Sequence, residues 1–299
     1  MPVNISRIIP GVVFFLFLSS IILMSTVPPV SRDALTHHLA VPKLYVQHGK
    51  MIELPDITPS YYPQLLDLLY CIPMIFENEI VPKYIHFTFA LLTALLIFFY
   101  LKNRLNEIYG AWAALFFLSV PVIVKLSVTV YVDLGLIFFP TASLLALIKW
   151  QQTLFSLKWL IISAVACGLA LSTKYNGLIT FFLISVFVLL IHMNAHKTLK
   201  GQIRSIGAAF CFLIVAISIF SPWLVKNYIW TGNPVYPLYD HLFASPSESE
   251  ITDDDAAPDM NHFLIRKHIY KESWIETLAI PVRIFFQGED DNPKLFDGK

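Results

Sequence analysis

The chain has 299 residues, of which 56% are hydrophobic and 14% charged, with 21 basic residues balanced by 21 acidic ones. Soluble domains carry about a quarter charged residues, so this composition describes a polytopic membrane protein, and a balanced charge with no basic patch argues against nucleic acid as a partner. Cys71, Cys167 and Cys211 are unclustered, which excludes a disulfide framework and any cysteine-based metal motif.

Seven apolar runs, near 8–27, 84–101, 108–126, 131–148, 158–173, 177–193 and 205–222, are read as membrane crossings, a crossing taking roughly 20 residues. The expected fold is all-α: a polytopic transmembrane helical bundle of about seven spans. The run at 158–173 is short and needs a locally adapted membrane. The first run has no A-x-A cleavage site and six more follow, so it reads as an uncleaved anchor. With Arg7 inside, the inner segments hold Lys102, Arg104, Lys149, Lys158, Lys197, Lys200 and Arg204, with Glu107 as their one acid. The positive-inside rule then sets the N-terminus in the cytoplasm, with residues 28–83 and 223–299 outside.

The outer loop 28–83 is patterned as two amphipathic helices lying in the interface plane. In the first, Ser31 is the N-cap and Asp33 lies in the first turn; Pro42 is expected to kink or end it, and Gly49 to stop it. The second runs from Pro63 to Phe76, after an extended connector marked by Pro55, Pro59 and Pro63. The expected organisation is a transmembrane module over 1–222 and an outer-face tail over 223–299, with the Ser-, Asp- and Glu-rich stretch 244–260 disordered.

Two carboxylates recur at the same expected membrane face, where an ionised group beside apolar runs needs a reason. Asp33 and His37 are four apart and share a helical face. Asp33 there could act as general base or help hold a divalent cation, or the pair could be a helix-start acid beside an exposed imidazole. Asp133, in Thr129-Val130-Tyr131-Val132-Asp133, either pairs with Lys125 or Lys174 or serves catalysis in the same cavity as Asp33. Lys174, in Lys174-Tyr175-Asn176-Gly177, suits a lipid phosphate or merely snorkels, and Lys226 is a second position of that kind. Adjacent His37 and His38 cannot both face one metal from a helix, so no metal ligands are assigned. No phosphate-binding glycine loop or serine-nucleophile pattern occurs.

The acid after the first span, the two interfacial helices, the outer acid at the fourth span and the Lys-Tyr-x-Gly after the fifth together resemble the GT-C superfamily. More narrowly, they resemble its protein O-mannosyltransferase-like and aminoarabinose-transferase-like branch. Asp33-Ala34-Leu35-Thr36-His37-His38-Leu39-Ala40-Val41-Pro42-Lys43 looks like the first-loop motif of bacterial members. Thr231-Gly232-Asn233-Pro234-Val235-Tyr236-Pro237 looks like their loop after the seventh span. The resemblance implies a glycosyltransferase of the bacterial inner membrane. It would move a sugar from a polyprenyl-phosphate-linked donor to a lipid, glycan or protein acceptor on the periplasmic face.

The resemblance makes Asp33 the main catalytic acid, with Asp133 supporting it and Lys174 near the donor phosphate; His37, on the face of Asp33, is the further catalytic candidate. Tyr131, His38, Tyr62 and Lys226 are the remaining candidates for substrate contact. Two departures stand out. Ala34 replaces a second acid, which weakens a metal role, and Tyr61-Tyr62-Pro63-Gln64 stands where relatives often carry Lys-Pro-Pro. The chain also ends at Lys299 with no closing helix, which reads as a truncated member. The rival readings are an inactive lipid-binding homologue and a transporter or flippase.

Overall fold

Every regular element among the described residues is helical, and a bundle of helices satisfies its own backbone inside a membrane. The structure, a computed structural model, describes residues 5–243, 266–287 and 294. Contacts divide the chain into one unit over Met1–Asp240 and another over His241–Lys299.

The first unit holds α1 (Ile5–Ser25), α2 (Ala40–His48), α3 (Leu65–Met74), α4 (Val81–Arg104), α5 (Glu107–Ser119), α6 (Pro121–Ser127), α7 (Asp133–Gln152), α8 (Leu157–Thr173), α9 (Gly177–Ala195) and α10 (Leu199–Thr231). Five of these, α1, α4, α7, α9 and α10, are long and apolar enough to cross a membrane. The expected third span is instead a bent pair: α5 and α6 meet at 71°. Pro121 opens α6, where a proline cannot continue the α5 hydrogen-bond ladder. The expected fifth span, α8, has 17 residues, about 25 Å at 1.5 Å per residue. The expected seven spans are thus five, or six with the bent pair, plus one short apolar helix.

The first loop is helical, with one unexpected turn. Ala34–His38 is a π-helix, closed by the Leu39 N–H on the Ala34 carbonyl at 2.9 Å. Pro42 neither kinks nor ends the helix that follows. It falls in the first turn of α2, where a missing N–H costs no intrahelical bond. Gly49 ends α2 in the left-handed region at φ 66°, as expected. In α3, Leu66, Asp67, Tyr70, Pro73 and Met74 are buried, while Ile72 is exposed, as are Ile75 and Phe76 just past its end.

One core cluster fastens this loop to the bundle: Ala34 and Leu39, Leu66, Tyr70 and Met74 of α3, Val130 and Val132, Phe139 of α7 and Ala170 of α8. The approach of α3 to α7 needs Gly135, since a Cβ there would lie 2.7 Å from the Leu66 side chain. Between α7 and α8, the hydroxyls of Ser143 and Ser163 each donate to the other's carbonyl, at 2.9 and 2.8 Å. Small hydroxyl residues of this kind let membrane helices pack closely.

The helix α10 continues past residue 222 to Thr231, with Pro222 inside it. In the second unit, α11 (Trp274–Leu278) opens on a capping box of Ser273 and Glu276 and is followed by α12 (Ile280–Gln287). Glu272 is buried there between Arg266 and Arg283, at 3.1 and 3.2 Å. The stretch 244–260 lies outside the described residues.

Candidate functional site

The packing of the first loop on α3, α7 and α8 gathers the polar residues around the starts of α7 and α9. Asp33 is exposed at the entry to the π-turn, and its side chain makes no capping bond. Its neighbour Ala34 is fully buried against the segment leading to Asp133. Asp33 is the one acid of the three discussed here whose carboxylate has no hydrogen bond or ion pair among the described residues.

His37 lies one turn on, half-buried, with Nδ1 3.1 Å from the Thr36 hydroxyl. Burial, and then the charge of His38, lowers its pKa to about 4; Asp67 and Asp33 oppose the shift and Lys174 adds to it. Asp33 and His37 thus act on each other through charge, with no hydrogen bond joining them among the described residues. The same interactions bring Asp67 and Lys174 into reach of the π-turn.

His38 points inward. Its Nδ1 is 2.8 Å from Asp67 Oδ1, and each residue is only 7% exposed. An ionised carboxylate only accepts, so Nδ1 carries the proton and donates. The His38 ring also packs against Tyr131, with centroids 5.7 Å apart. Tyr70 donates its hydroxyl to the Tyr131 carbonyl, and burial, with Asp67 and Asp133 nearby, raises the Tyr70 pKa well above the usual phenol value.

Asp133 is paired. Lys174 Nζ donates to Asp133 Oδ1 at 3.0 Å, with the side chains 37% and 30% exposed. Of the two partners expected for Asp133, Lys174 is the one in contact. Two local features fix this pair. His86, fully buried, accepts the Leu134 N–H through Nε2 at 2.9 Å and donates Nδ1 to the Leu126 and Thr129 carbonyls. It therefore holds the first turn of α7 against α4 and α6. On the other side, Gly177 lets α9 fold back on the end of α8: a Cβ there would sit 2.6 Å from the Ala170 carbonyl.

Tyr62 sets its ring edge against Tyr175, with centroids 5.8 Å apart. The Tyr175 hydroxyl donates to the Tyr236 carbonyl at 2.9 Å, and Asn227 donates to both the Tyr175 hydroxyl and that carbonyl. Lys226 is buried, donates to the Ser60 and Tyr62 carbonyls at 2.8 and 3.2 Å, and lies over the rings of Trp223 and Trp230. Its ammonium ties α10 to the loop that carries Tyr62.

Sequence reasoning missed Asp67, His86 and Lys83, whose buried Nζ donates to the Val27 carbonyl at 2.6 Å. Asp67 was legible: an acid inside Leu65-Leu66-Asp67-Leu68-Leu69 can be buried only with a partner. Among the described residues no three His, Cys, Asp or Glu side chains converge as a metal site requires, and Asp67 and Asp133 are each engaged by a protein partner. An apolar groove of about 490 Å³ runs between α1, α4 and α5, and one of about 310 Å³ lies beside α2 and α3. Neither is lined by Asp33 or Asp133, whose chain neighbours Ala34 and Val132 share the core cluster.

No curated protein and no solved structure matches the chain. The family model described as dolichyl-phosphate-mannose-protein mannosyltransferase matches residues 75–231, just over half of it. The match takes in Tyr131, Asp133, Lys174 and Lys226, and begins after Asp33, His37, His38 and Asp67. The chain belongs to the dolichyl-phosphate-mannose-protein mannosyltransferase family and so to the membrane glycosyltransferases.

Proposed function

We propose that this chain transfers a sugar from a polyprenyl-phosphate-linked donor to a hydroxyl of a lipid, glycan or protein acceptor at the outer face of a bacterial inner membrane, with its N-terminus in the cytoplasm. The observation that carries this reading is the division of labour among three carboxylates. Asp67 and Asp133 are held by His38 and Lys174, while Asp33 is exposed and has no side-chain partner among the described residues.

In this reading Asp33 takes the proton of the acceptor hydroxyl as its oxygen attacks the anomeric carbon. The bond from that carbon to the phosphate oxygen breaks, and the polyprenyl phosphate leaves with the electron pair. A phosphate leaving group departs without protonation, so positioning and one base suffice. Lys174, partly exposed, offers its ammonium to the phosphate as a point charge while one of its N–H groups stays on Asp133. His37, His38, Tyr131 and Tyr62 line the approach, and Lys226 holds Tyr62 through its backbone.

The test is transfer by the full chain in membrane vesicles supplied with radiolabelled polyprenyl phosphomannose. Label moving into a chloroform-insoluble or lipid-shifted acceptor supports the reading. Donor that stays intact in the presence of membranes carrying active relatives' acceptors contradicts it.

A further inference from the structure

The buried His38–Asp67 pair has a chemistry of its own. Its Nδ1–H is committed to Asp67 at 2.8 Å, so only Nε2 remains available to a ligand. Nε2 makes no hydrogen bond among the described residues. It is also absent from the sealed, unpartnered polar atoms, which are Ser25 Oγ, Gln202 Oε1 and Asn227 Oδ1. The imidazole is therefore clamped at one nitrogen and open at the other, in a ring held against Tyr131. Such a carboxylate-oriented histidine presents a lone pair when neutral and an N–H donor when protonated.

We propose that Asp67 is a positioning residue that orients the His38 ring, so that Nε2–H of the protonated ring donates to the phosphodiester of the lipid-linked donor. The inference rests on the donor reading above. Asp67 of α3 is in direct contact, while His37 on the same turn, His86 of α4 and, beyond Tyr131, the Asp133–Lys174 pair are more distant. A bound phosphodiester adds a second negative neighbour. His38 and Lys174 then share the phosphate as two donors, leaving Asp33 to serve as base. The pair is invisible to a family match that begins at residue 75.

The experiment measures binding to the full chain in detergent micelles. The probes are a short-chain prenyl phosphomannose, singly negative at every pH used, and the neutral prenyl mannoside. His38→Ala and Asp67→Asn are expected to weaken the diester about tenfold or more, the worth of one charge-assisted hydrogen bond, and leave the neutral lipid unchanged. His38→Gln, which keeps an N–H donor, is expected to retain part of the preference.

Diester binding by Asp67→Asn that matches the wild type would overturn the inference and leave the donor reading intact. So would equal weakening of both lipids, which marks a purely structural role, or His38→Gln no better than His38→Ala. A wild-type chain that binds the neutral lipid as tightly as the diester would remove the donor reading, and this inference with it.

Discussion

Lys174 Nζ lies 3.0 Å from Asp133 Oδ1, joining the end of α8 to the first residue of α7. Both side chains are about a third exposed, so the pair is worth at most about 1 kcal/mol to stability. We expect Asp133→Asn and Lys174→Gln to shift the melting temperature little and to lower transfer far more. Equal losses of stability and activity, read by thermal unfolding beside transfer rate, would reduce the pair to a structural tie.

His86 carries more of the stability of this corner. It is sealed in the core and satisfies the Leu134 N–H together with two carbonyls. His86→Ala leaves these groups without partners, at a cost of about 1–3 kcal/mol for each one left buried and unsatisfied. Thermal unfolding in detergent should show a clear loss, and transfer should fall because the turn carrying Asp133 is freed. His86→Gln, able to donate and accept, should recover part of both.

Gly177 sets where Lys174 can stand. A methyl group there would lie 2.6 Å from backbone, the Ala170 carbonyl, so α9 must move to admit it. Gly177→Ala should cost about 1–3 kcal/mol, as overpacking does, and should lower transfer by displacing Lys174. An alanine variant with wild-type melting and transfer would show that α8 and α9 approach less closely than described.

The acid limb of stability carries a signature of His37. Its folded pKa, lowered to about 4 chiefly by burial, lies below the ordinary value of 6.5. The unfolded chain therefore takes up a proton first as pH falls, and the His37 contribution is lost between pH 6.5 and about 4. NMR of selectively labelled histidine should show a ring titrating near 4 that vanishes in His37→Gln. A midpoint near 6.5 would mean the ring is solvated.

Much of this was written in the sequence. Asp33, Asp133 and Lys174 stand out because charge beside apolar runs is costly, and Gly49 marks a helix end by its position. The break between α5 and α6 was signalled by Pro121, but an apolar run across it hides the bend from a reading by hydropathy alone. The π-turn at Ala34–His38 could not be read: it ends on a buried His38 whose partner, Asp67, is 29 residues away. Asp67 among leucines demands a partner without naming it, and His86 is obscured by standing alone in an apolar helix. In both cases the meaning comes from tertiary contact, which single-sequence periodicity does not contain.

The central claim is that Asp33 is the base of a lipid-linked sugar transfer. It is tested by the single-turnover rate of Asp33→Asn and Asp33→Glu against wild type, in membranes saturated with radiolabelled polyprenyl phosphomannose. Asparagine cannot accept the hydroxyl proton, so the account predicts a fall of about a hundredfold or more, with donor binding and melting unchanged and glutamate partly active. Undiminished transfer by Asp33→Asn would contradict it.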